Sequence, residues 1–329
     1  MISIVIPVYN SENQITRLLD SIKQSRVEDE IEVVVVDDAS KDGTVEAIKQ
    51  YPVRIYENDT NYGSAYSRNR GVKEACGDLI VFFDADVVLK DNTLQSLIAR
   101  SEELSDKDAY IGIYSKDPVE KGFVPEFKAL LDFSHWLYVQ SREVTSFEPR
   151  CAILRKKAFL DVGGFDEKIK GADVEDYEFG YRLLAAGGKI YLDKNIQVDH
   201  HFPLKMTTIV KNFFQRGASW IKLFLQRKEF DNVATTKGAG AACIMAFVSF
   251  LLFFPGVFVK EAAFLWVSSM IIYVILIHKF MGFVLREKGV HFMLLSFFAQ
   301  YLLNVVLGVA AVKGVAEYIL QKMVGICKT

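Results

Sequence analysis

The stretch Ile2-Ser3-Ile4-Val5-Ile6-Pro7-Val8 (residues 2–8) decides how the first half of the chain is interpreted. It is short, continuously apolar and rich in β-branched side chains, which is typical of a strand buried on both faces. A helical pattern follows, with apolar residues spaced by three and four positions at Ile15, Leu18, Leu19 and Ile22. A buried strand that leads into an amphipathic helix predicts the start of a strand–helix–strand unit.

The same alternation continues to residue 83. Further short apolar runs at 31–36, 53–56 and 79–83 predict strands. Between them we expect a short helix that Thr44 caps and that carries Val45 and Ile48, and a helix at about 64–75. Strands that alternate with helices through short connections predict an α/β fold with a doubly wound, mainly parallel sheet. Ligands bind such sheets beyond the carboxyl ends of the strands. The residues that follow three of the strands are therefore candidate site residues: 7–10, 37–38 and 84–86.

Composition narrows the class of protein. The 329 residues carry 39 basic and 41 acidic side chains, so no overall attraction to nucleic acid is indicated. The four cysteines form no Cys-x-x-Cys pair, which argues against a zinc site or a disulfide framework and favours a reducing compartment. The apolar N-terminus is short and has no basic region before it, so we expect no signal peptide and a cytoplasmic first domain.

Hydrophobic residues make up 51% of the chain, and the excess collects after Lys237. Three apolar runs, 238–259, 262–285 and 292–312, each reach the ~20 residues that a membrane-spanning helix needs. We therefore expect a transmembrane region over 238–329 with about three helices. Basic residues between the second and third runs favour a cytoplasmic N-terminus, yet a third crossing would place Lys313, Lys322 and Lys328 outside. Either this tail lies along the interface or one run does not fully cross.

Residues 206–237 lie between these two regions, and basic and aromatic side chains alternate along them. A basic helix with an aromatic face is typical of helices that lie in the membrane interface. The alternative is an amphipathic helix that packs on the first domain.

Asp84 and Asp86 form an Asp-x-Asp motif directly after a predicted buried strand. Carboxylate oxygens are the ligands that Mg²⁺ and Mn²⁺ prefer, and a bound diphosphate can complete the shell of such an ion. The motif alone is weak, since many acidic pairs are simply solvated loop residues. Its position at the sheet edge, near Asp37-Asp38, favours the metal interpretation.

Several ordered motifs together resemble glycosyltransferase family 2, whose members have the GT-A fold. They extend over residues 1–205, the expected catalytic domain: Ile4-Val5-Ile6-Pro7-Val8-Tyr9-Asn10, Asp37-Asp38, Asn61-Tyr62-Gly63, Arg68-Asn69-Arg70-Gly71, Asp84-Ala85-Asp86, Gly163-Gly164-Phe165-Asp166, Glu175-Asp176 and Tyr181-Arg182. The resemblance implies an inverting transfer by single displacement, with Mg²⁺ or Mn²⁺ as cofactor and a UDP- or GDP-sugar as donor.

The resemblance also implies roles for individual residues. The donor-binding set would be Pro7, Tyr9, Glu12, Asp38, Asn61, Gly63, Arg68 and Asp84. Asp86, with Asp84, would carry the metal, and one histidine of the pair His200-His201, here assigned to His201, would complete its shell or contact the diphosphate. Asp176 would be the general base, with Glu175 as the alternative. A carboxylate in reach of the acceptor hydroxyl typically contributes ~10²–10⁴-fold to rate.

One departure bears on the product. Processive members of the family carry Gln-x-x-Arg-Trp on the interfacial helix, whereas this chain has Gln215-Arg216-Gly217-Ala218-Ser219-Trp220. Transfer of a single sugar is therefore expected, to a lipid-linked or glycolipid acceptor next to membrane lipids, by a multi-pass protein of the cell (inner) membrane that builds cell-envelope glycan. Two alternatives are a non-catalytic sugar-nucleotide-binding scaffold and a nucleotidyltransferase, although the latter would need a glycine-rich loop after the first strand.

Overall fold

The computed structural model describes residues 1–25, 27–169, 174–230, 232–233 and 236–326. Two charged residues lie outside these ranges: Asp173, three positions before Asp176 in the sequence, and Lys328, in the predicted tail. The chain forms two compact units. Unit 1 contains residues 1–121 and 135–202, and unit 2 contains residues 122–134 and those from 203 onward.

The elements follow one another in a regular order through the first half of the chain. The described strands are β1 (Ile2–Val8), β2 (Ile31–Asp37), β3 (Arg54–Glu57), β4 (Leu79–Phe83), β5 (Val87–Leu89), β6 (Ala109–Tyr114), β7 (Glu143–Val144), β8 (Cys151–Arg155) and β9 (Ile190–His200). The described helices are α1 (Glu12–Gln24), α2 (Thr44–Ile48), α3 (Ser64–Glu74), α4 (Thr93–Ser101), α5 (Phe123–Leu137), α6 (Lys156–Asp161), α7 (Glu175–Ala185), α8 (Met206–Arg227), α9 (Lys237–Phe258) and α10 (Lys260–Ile326).

The first four strands form the parallel half of the sheet. β1 lies between β2 and β4 and is parallel to both, with Val8 opposite Asp37 and Val5 opposite Phe82. Because these strands run in one direction, their carboxyl ends meet at the same edge of the sheet. The predicted α/β architecture is confirmed, and the residues after β1, β2 and β4 lie along that edge.

The second half of the sheet is mixed. The strand order is β3-β2-β1-β4-β8-β6-β9-β5, with β7 paired to β9. β8 is antiparallel to both β4 and β6, whereas β6 and β9 are parallel. β5 is antiparallel to β9 and places Val87 opposite His200. This last pair brings the end of the Asp-x-Asp motif to the end of β9.

Close packing explains how the helices cover the sheet. The side chains of β1 from Ile4 to Ile6 are fully buried, and Ile15 and Leu18 of α1 are too. Gly71 lets α3 approach the sheet, because a Cβ there would lie 2.4 Å from the Val5 side chain. A larger residue at position 71 would push α3, and the residues it carries, away from the sheet edge.

An aromatic cluster fixes the segment that precedes α7. Its rings lie 4.8–6.2 Å from their neighbours, between centroids: Phe82, Phe147, Phe159, Phe165 and Phe179. Such pairs stabilise by about 0.5–1.5 kcal/mol each beyond the area they bury. The cluster therefore holds the segment around Phe165 and the start of α7 against β4.

Unit 2 is helical. Tyr273 and Tyr301 both belong to α10, and their ring centroids lie 5.5 Å apart. On a straight helix, 28 residues would separate them by ~42 Å, so α10 folds back on itself. The non-helical residue is Gly289, with φ 81°, and α10 is therefore a helical hairpin. Its two arms contain the second and third apolar runs.

In the described part of the chain, α9 and α10 are the two helices long and apolar enough to cross a membrane. Large apolar side chains stand exposed along them, such as Phe258 at 84%, Phe264 at 72% and Phe254 at 68%. α8 packs on the second arm of α10, where Lys222 pairs with Glu317 at 3.0 Å. The basic, aromatic helix predicted after residue 205 is thus present.

Candidate active site

Hydrogen bonds join two loops at the sheet edge. Asn10, after β1, accepts a hydrogen bond from the Lys41 backbone N–H through its Oδ1 (2.8 Å). Its own backbone N–H donates to Ser40 Oγ at 2.8 Å. These bonds join the end of β1 to the end of β2, so the two loops form one surface.

The predicted nucleotide-pocket residues lie on and beside this surface. Tyr9 is 43% exposed, and Pro7 is half-buried beneath it at the end of β1. Glu12 is exposed at the start of α1, and its carboxylate lies so close to Gly43 that a Cβ there would be 2.7 Å from Glu12 Cδ. The structure thus places these three side chains around one open edge, with an exposed aromatic ring available for stacking.

Asp38 organises the loop that leads into α3. Its buried carboxylate accepts hydrogen bonds from Asn58 Nδ2 (2.7 Å) and from the backbone N–H groups of Tyr62 (3.0 Å) and Gly63 (2.7 Å). Gly63 has φ 97°, a conformation that favours glycine. The same loop presents Asn61, which is exposed. Both oxygens of Asp38 therefore fix the shape of the predicted donor-contacting loop.

Arg68 joins the predicted donor and acceptor sides. Its buried guanidinium pairs with Asp84 Oδ1 at 2.6 Å and with Glu175 Oε1 at 3.2 Å. Glu175 also accepts a hydrogen bond from Ser64 Oγ (2.9 Å). Burial alone would lower the pKa of Arg68, but the carboxylates of Asp84 and Glu175 raise it above its ordinary value. The end of β4 and the start of α7 thus meet around one cation.

Asp176 follows Glu175 on the first turn of α7. It is half-buried, whereas Glu175 is buried. Asp176 Oδ1 accepts a hydrogen bond from the Tyr177 backbone N–H (2.8 Å), and its charge contributes to the raised pKa of Arg68. A carboxylate at a helix N-terminus is stabilised by the helix dipole. The two acidic residues therefore differ: Glu175 is buried and bonded to Arg68, whereas Asp176 is partly exposed to solvent.

Asp86 lies against the end of β9. Its Oδ2 is 3.1 Å from Nε2 of His200, whose ring packs against those of Tyr114 and Phe202, each with its centroid 4.3 Å away. Burial would raise the pKa of Asp86, but the neighbouring His200 imidazole prevails and holds that pKa below its ordinary value. The other oxygen, Asp86 Oδ1, is buried with no hydrogen-bond partner among the described atoms.

His201 has a separate partner. Its backbone N–H donates to the Asp86 carbonyl at 2.9 Å, so the two residues lie opposite each other. Its ring Nδ1 lies 2.5 Å from Glu120 Oε1. Its Nε2 is buried and, within the described part of the chain, has no hydrogen-bond partner. The structure therefore separates the adjacent histidines: His200 contacts the Asp86 carboxylate, and His201 contacts Glu120.

The arrangement can be tested for its fit to a divalent cation. Among the described residues, no group of three or more His, Cys, Asp or Glu side chains is placed to hold a metal ion by itself. Four buried atoms here have no hydrogen-bond partner in the described part of the chain: Asp86 Oδ1, Glu120 Oε2, His200 Nδ1 and His201 Nε2. Of these, Asp86 Oδ1 and His201 Nε2 belong to residues set opposite each other and suit a cation. Asp84 points instead to Arg68. The protein atoms fit an ion that takes the rest of its shell from a bound diphosphate and water.

Sequence reasoning missed two polar residues here, Glu120 and Ser64. Glu120 is separated from His201 by 81 positions, and no motif surrounds it. Ser64 lies within a recognised stretch, but its bond to Glu175 spans 111 positions. Only the folding of the chain brings such distant partners together.

Comparisons with known proteins bear on the family and the fold of the chain. The sequence pattern described as "Glycosyl transferase family 2" matches residues 3–163. An uncharacterized glycosyltransferase of Haemophilus influenzae is 29% identical, over 56% of this chain and 62% of its own. The validoxylamine A glucosyltransferase of Streptomyces hygroscopicus subsp. limoneus is also 29% identical, over 57% of this chain and 48% of its own. This chain thus covers about half to three fifths of the length of these relatives.

The fold has a counterpart among solved structures. A mannosyltransferase from Pyrobaculum calidifontis, solved with GDP-Man and Mn²⁺, superposes with a TM-score of 0.54. The match covers 98% of this chain and 87% of that one at 16% identity, so it bears on the fold alone. Together with the matched family pattern and the sheet described above, these findings show that the chain carries a glycosyltransferase family 2 domain of the GT-A fold.

Proposed function

We propose that the protein transfers one sugar, with inversion, from a nucleoside-diphosphate donor to a hydroxyl of a lipid-linked or membrane-proximal acceptor. One observation carries the proposal: the guanidinium of Arg68 pairs with Asp84 of the Asp-x-Asp motif and with Glu175, the residue before Asp176. The donor motif and the candidate base therefore lie on two sides of a single buried cation.

Asp86 and His201 are the residues that would hold Mg²⁺ or Mn²⁺, through the buried atoms that have no other described partner. When bound, such an ion acts as a Lewis acid toward the negative charge of the leaving nucleoside diphosphate. The mannosyltransferase from Pyrobaculum calidifontis was solved in complex with GDP-Man and Mn²⁺, which is a precedent for this choice of metal. Asp84 is bonded to Arg68, so we expect it to contribute to donor binding.

The donor would lie along the loops that follow β1 and β2. Pro7, Tyr9 and Glu12 border the open edge, and Asp38 holds the loop that carries Asn61 and Gly63. A UDP- or GDP-sugar is the class of donor that such a site takes. The Tyr9 ring offers the base a surface on which to stack.

Asp176 would act as the general base. Glu175 is buried and already bonded to Arg68 and Ser64, whereas Asp176 is half-open to solvent on the same turn. In the proposed step, Asp176 takes the proton of the acceptor hydroxyl as its oxygen bonds to the anomeric carbon and the bond to the diphosphate breaks. No side chain of the protein forms a covalent intermediate in this step.

The helical unit supports a membrane-proximal acceptor. The exposed apolar side chains of α9 and α10 match a lipid surface better than water. A multi-pass anchor in the cell membrane would keep the catalytic domain on the cytoplasmic side, near lipid-linked or glycolipid acceptors. The altered sequence at Gln215-Arg216-Gly217-Ala218-Ser219-Trp220 supports transfer of one sugar rather than polymer synthesis.

The test uses purified full-length protein with Mn²⁺, a panel of UDP- and GDP-sugars and native membrane lipids, with products weighed by mass spectrometry. We expect one sugar added per acceptor, and a rate reduced ~10²–10⁴-fold in Asp176→Asn with donor affinity retained. Asp161→Asn, which removes an exposed surface charge, is the matched control. Binding of a nucleotide sugar without any turnover would instead show a scaffold and would refute the proposed activity.

A further inference from the structure

The segment between β6 and α5 is held along the end of β9. The Ser115 backbone N–H donates to the Val198 carbonyl at 2.8 Å, and the Val119 N–H donates to the His200 carbonyl at 3.2 Å. These bonds continue the pairing of the two strands past the end of β6. They place the next residue, Glu120, beside His201.

The contact between Glu120 and His201 constrains the imidazole. The His201 Nδ1 lies 2.5 Å from Glu120 Oε1, and a carboxylate that accepts this contact requires the ring proton on Nδ1. In the neutral ring the lone pair is then on Nε2. This atom is buried and has no described partner, which is the state required of a nitrogen that binds a metal ion.

We propose that Glu120 is a positioning residue that holds His201 in the Nδ1–H tautomer, with Nε2 turned to the divalent cation. The inference rests on the proposed function, because it assumes that Asp86 and His201 receive the ion. It adds a residue that lies outside every motif of the sequence.

Asp86 is held in a parallel way. Its Oδ2 lies 3.1 Å from His200 Nε2 and its Oδ1 has no described partner. The His201 N–H bond to the Asp86 carbonyl sets the two residues opposite each other. Each proposed ligand thus has one atom fixed by a neighbour and one buried atom with no partner among the described residues, and Glu120 does for His201 what His200 does for Asp86.

A carboxylate behind a metal-binding histidine fixes the ring orientation and increases the basicity of the ligand nitrogen. Loss of such a partner typically costs about 10–100-fold in metal affinity or activity. Glu120→Ala should therefore weaken Mn²⁺ binding by that factor. Glu120→Gln should retain most of the affinity, since its amide oxygen still accepts from Nδ1–H.

The first experiment titrates full-length protein with Mn²⁺ alone and measures free Mn²⁺ by electron paramagnetic resonance. The variants are Glu120→Ala, Glu120→Gln and His201→Ala, with Glu143→Gln as the control for loss of an exposed paired carboxylate. We expect weaker binding in Glu120→Ala and His201→Ala, and near-wild-type binding in Glu120→Gln and the control. Wild-type affinity in Glu120→Ala beside a loss in His201→Ala would overturn the role of Glu120.

The second readout reports the tautomer directly. In protein labelled with ¹⁵N-histidine, long-range proton–nitrogen spectra distinguish the Nδ1–H, Nε2–H and doubly protonated rings. We expect the metal-free wild type to show Nδ1–H at His201, assigned by its absence from His201→Ala, and Glu120→Ala to lose this preference. An Nε2–H or doubly protonated ring in the wild type would refute the inference.

An incorrect metal site and an incorrect role of Glu120 would give different results. If Asp86→Ala also binds Mn²⁺ like the wild type, the proposed metal site itself is wrong. If Asp86→Ala loses the ion but neither His201→Ala nor Glu120→Ala does, the site stands without His201 and the inference about Glu120 is refuted.

Discussion

Arg68 is the residue on which the two sides of the site depend. Its guanidinium has a side-chain exposure of 5%, it pairs with Glu175 at 3% exposure, and it lies 5.4 Å from the centroid of the Phe165 ring. A cation placed in this way neutralises acidic groups that would otherwise repel one another. It also fixes the position of α7 relative to the end of β4.

Replacement of Arg68 by methionine should therefore destabilise the fold strongly. Removing one partner of a buried ion pair leaves an uncompensated charge and typically costs about 3–5 kcal/mol. Lys157→Met is the control, since the pair of Lys157 with Asp161 is largely exposed and such pairs contribute about 0–1 kcal/mol. Thermal unfolding in detergent micelles measures both variants. Similar losses in the two would contradict the structural role assigned to Arg68.

At the scale of elements, the turn at Gly164 positions Phe165, whose ring lies 4.8 Å from that of Phe179 in α7. Gly164 has φ 67°, and a Cβ there would lie 2.6 Å from Asn69 Oδ1. That oxygen accepts the Phe165 backbone N–H at 2.8 Å. Glycine at this position therefore satisfies both a left-handed backbone and a close side-chain contact.

Gly187 provides a matched comparison, because it has φ 83° and a Cβ there would meet nothing within 4 Å. Substitution by alanine at either position should lower the free energy of unfolding by about 1–2 kcal/mol, because a residue with a Cβ is strained in the left-handed conformation. In Gly164→Ala the free energy of unfolding should fall by a further ~1–3 kcal/mol, because the new Cβ overpacks against Asn69. Chemical unfolding of both variants tests the difference. Equal losses of unfolding free energy would show that the Asn69 side chain moves aside at no cost.

The elements that could be predicted from sequence are those with a strong local pattern. β1, β2 and β4 are buried parallel strands, so their apolar runs are continuous and identify them. β5 and β7 contain three and two residues, too few for any periodicity. These two strands of the mixed half of the sheet were therefore found only in the structure.

The same distinction applies to the site. Asp84, Asp86 and Asp176 belong to short motifs that directly follow or begin an element, and the sequence identified them as candidates. The Glu120–His201 and Ser64–Glu175 contacts depend on the packing of distant segments, and local sequence contains no signal for them. Which atom of each acidic residue is bonded and which is open was likewise inaccessible without coordinates.

At the scale of the whole molecule, the helical unit has an apolar surface that water would not stabilise. We expect the full-length protein to stay in the membrane fraction after an alkaline carbonate wash and to require detergent for release, because exposed apolar helices of this length partition into lipid. Fractionation followed by immunoblotting measures this. Release into the supernatant by carbonate alone would contradict a spanning anchor.

The most direct test of the central claim is the metal dependence of donor turnover in the wild type and in Asp86→Ala. The wild type should lose activity in chelator and regain it with Mn²⁺. Asp86→Ala should remain at least ~10²-fold slower at saturating Mn²⁺, since every ~1.36 kcal/mol of lost transition-state stabilisation is tenfold in rate. Turnover that persists in chelator, or an Asp86→Ala variant as fast as the wild type, would contradict a metal-dependent glycosyltransferase built on this sheet edge.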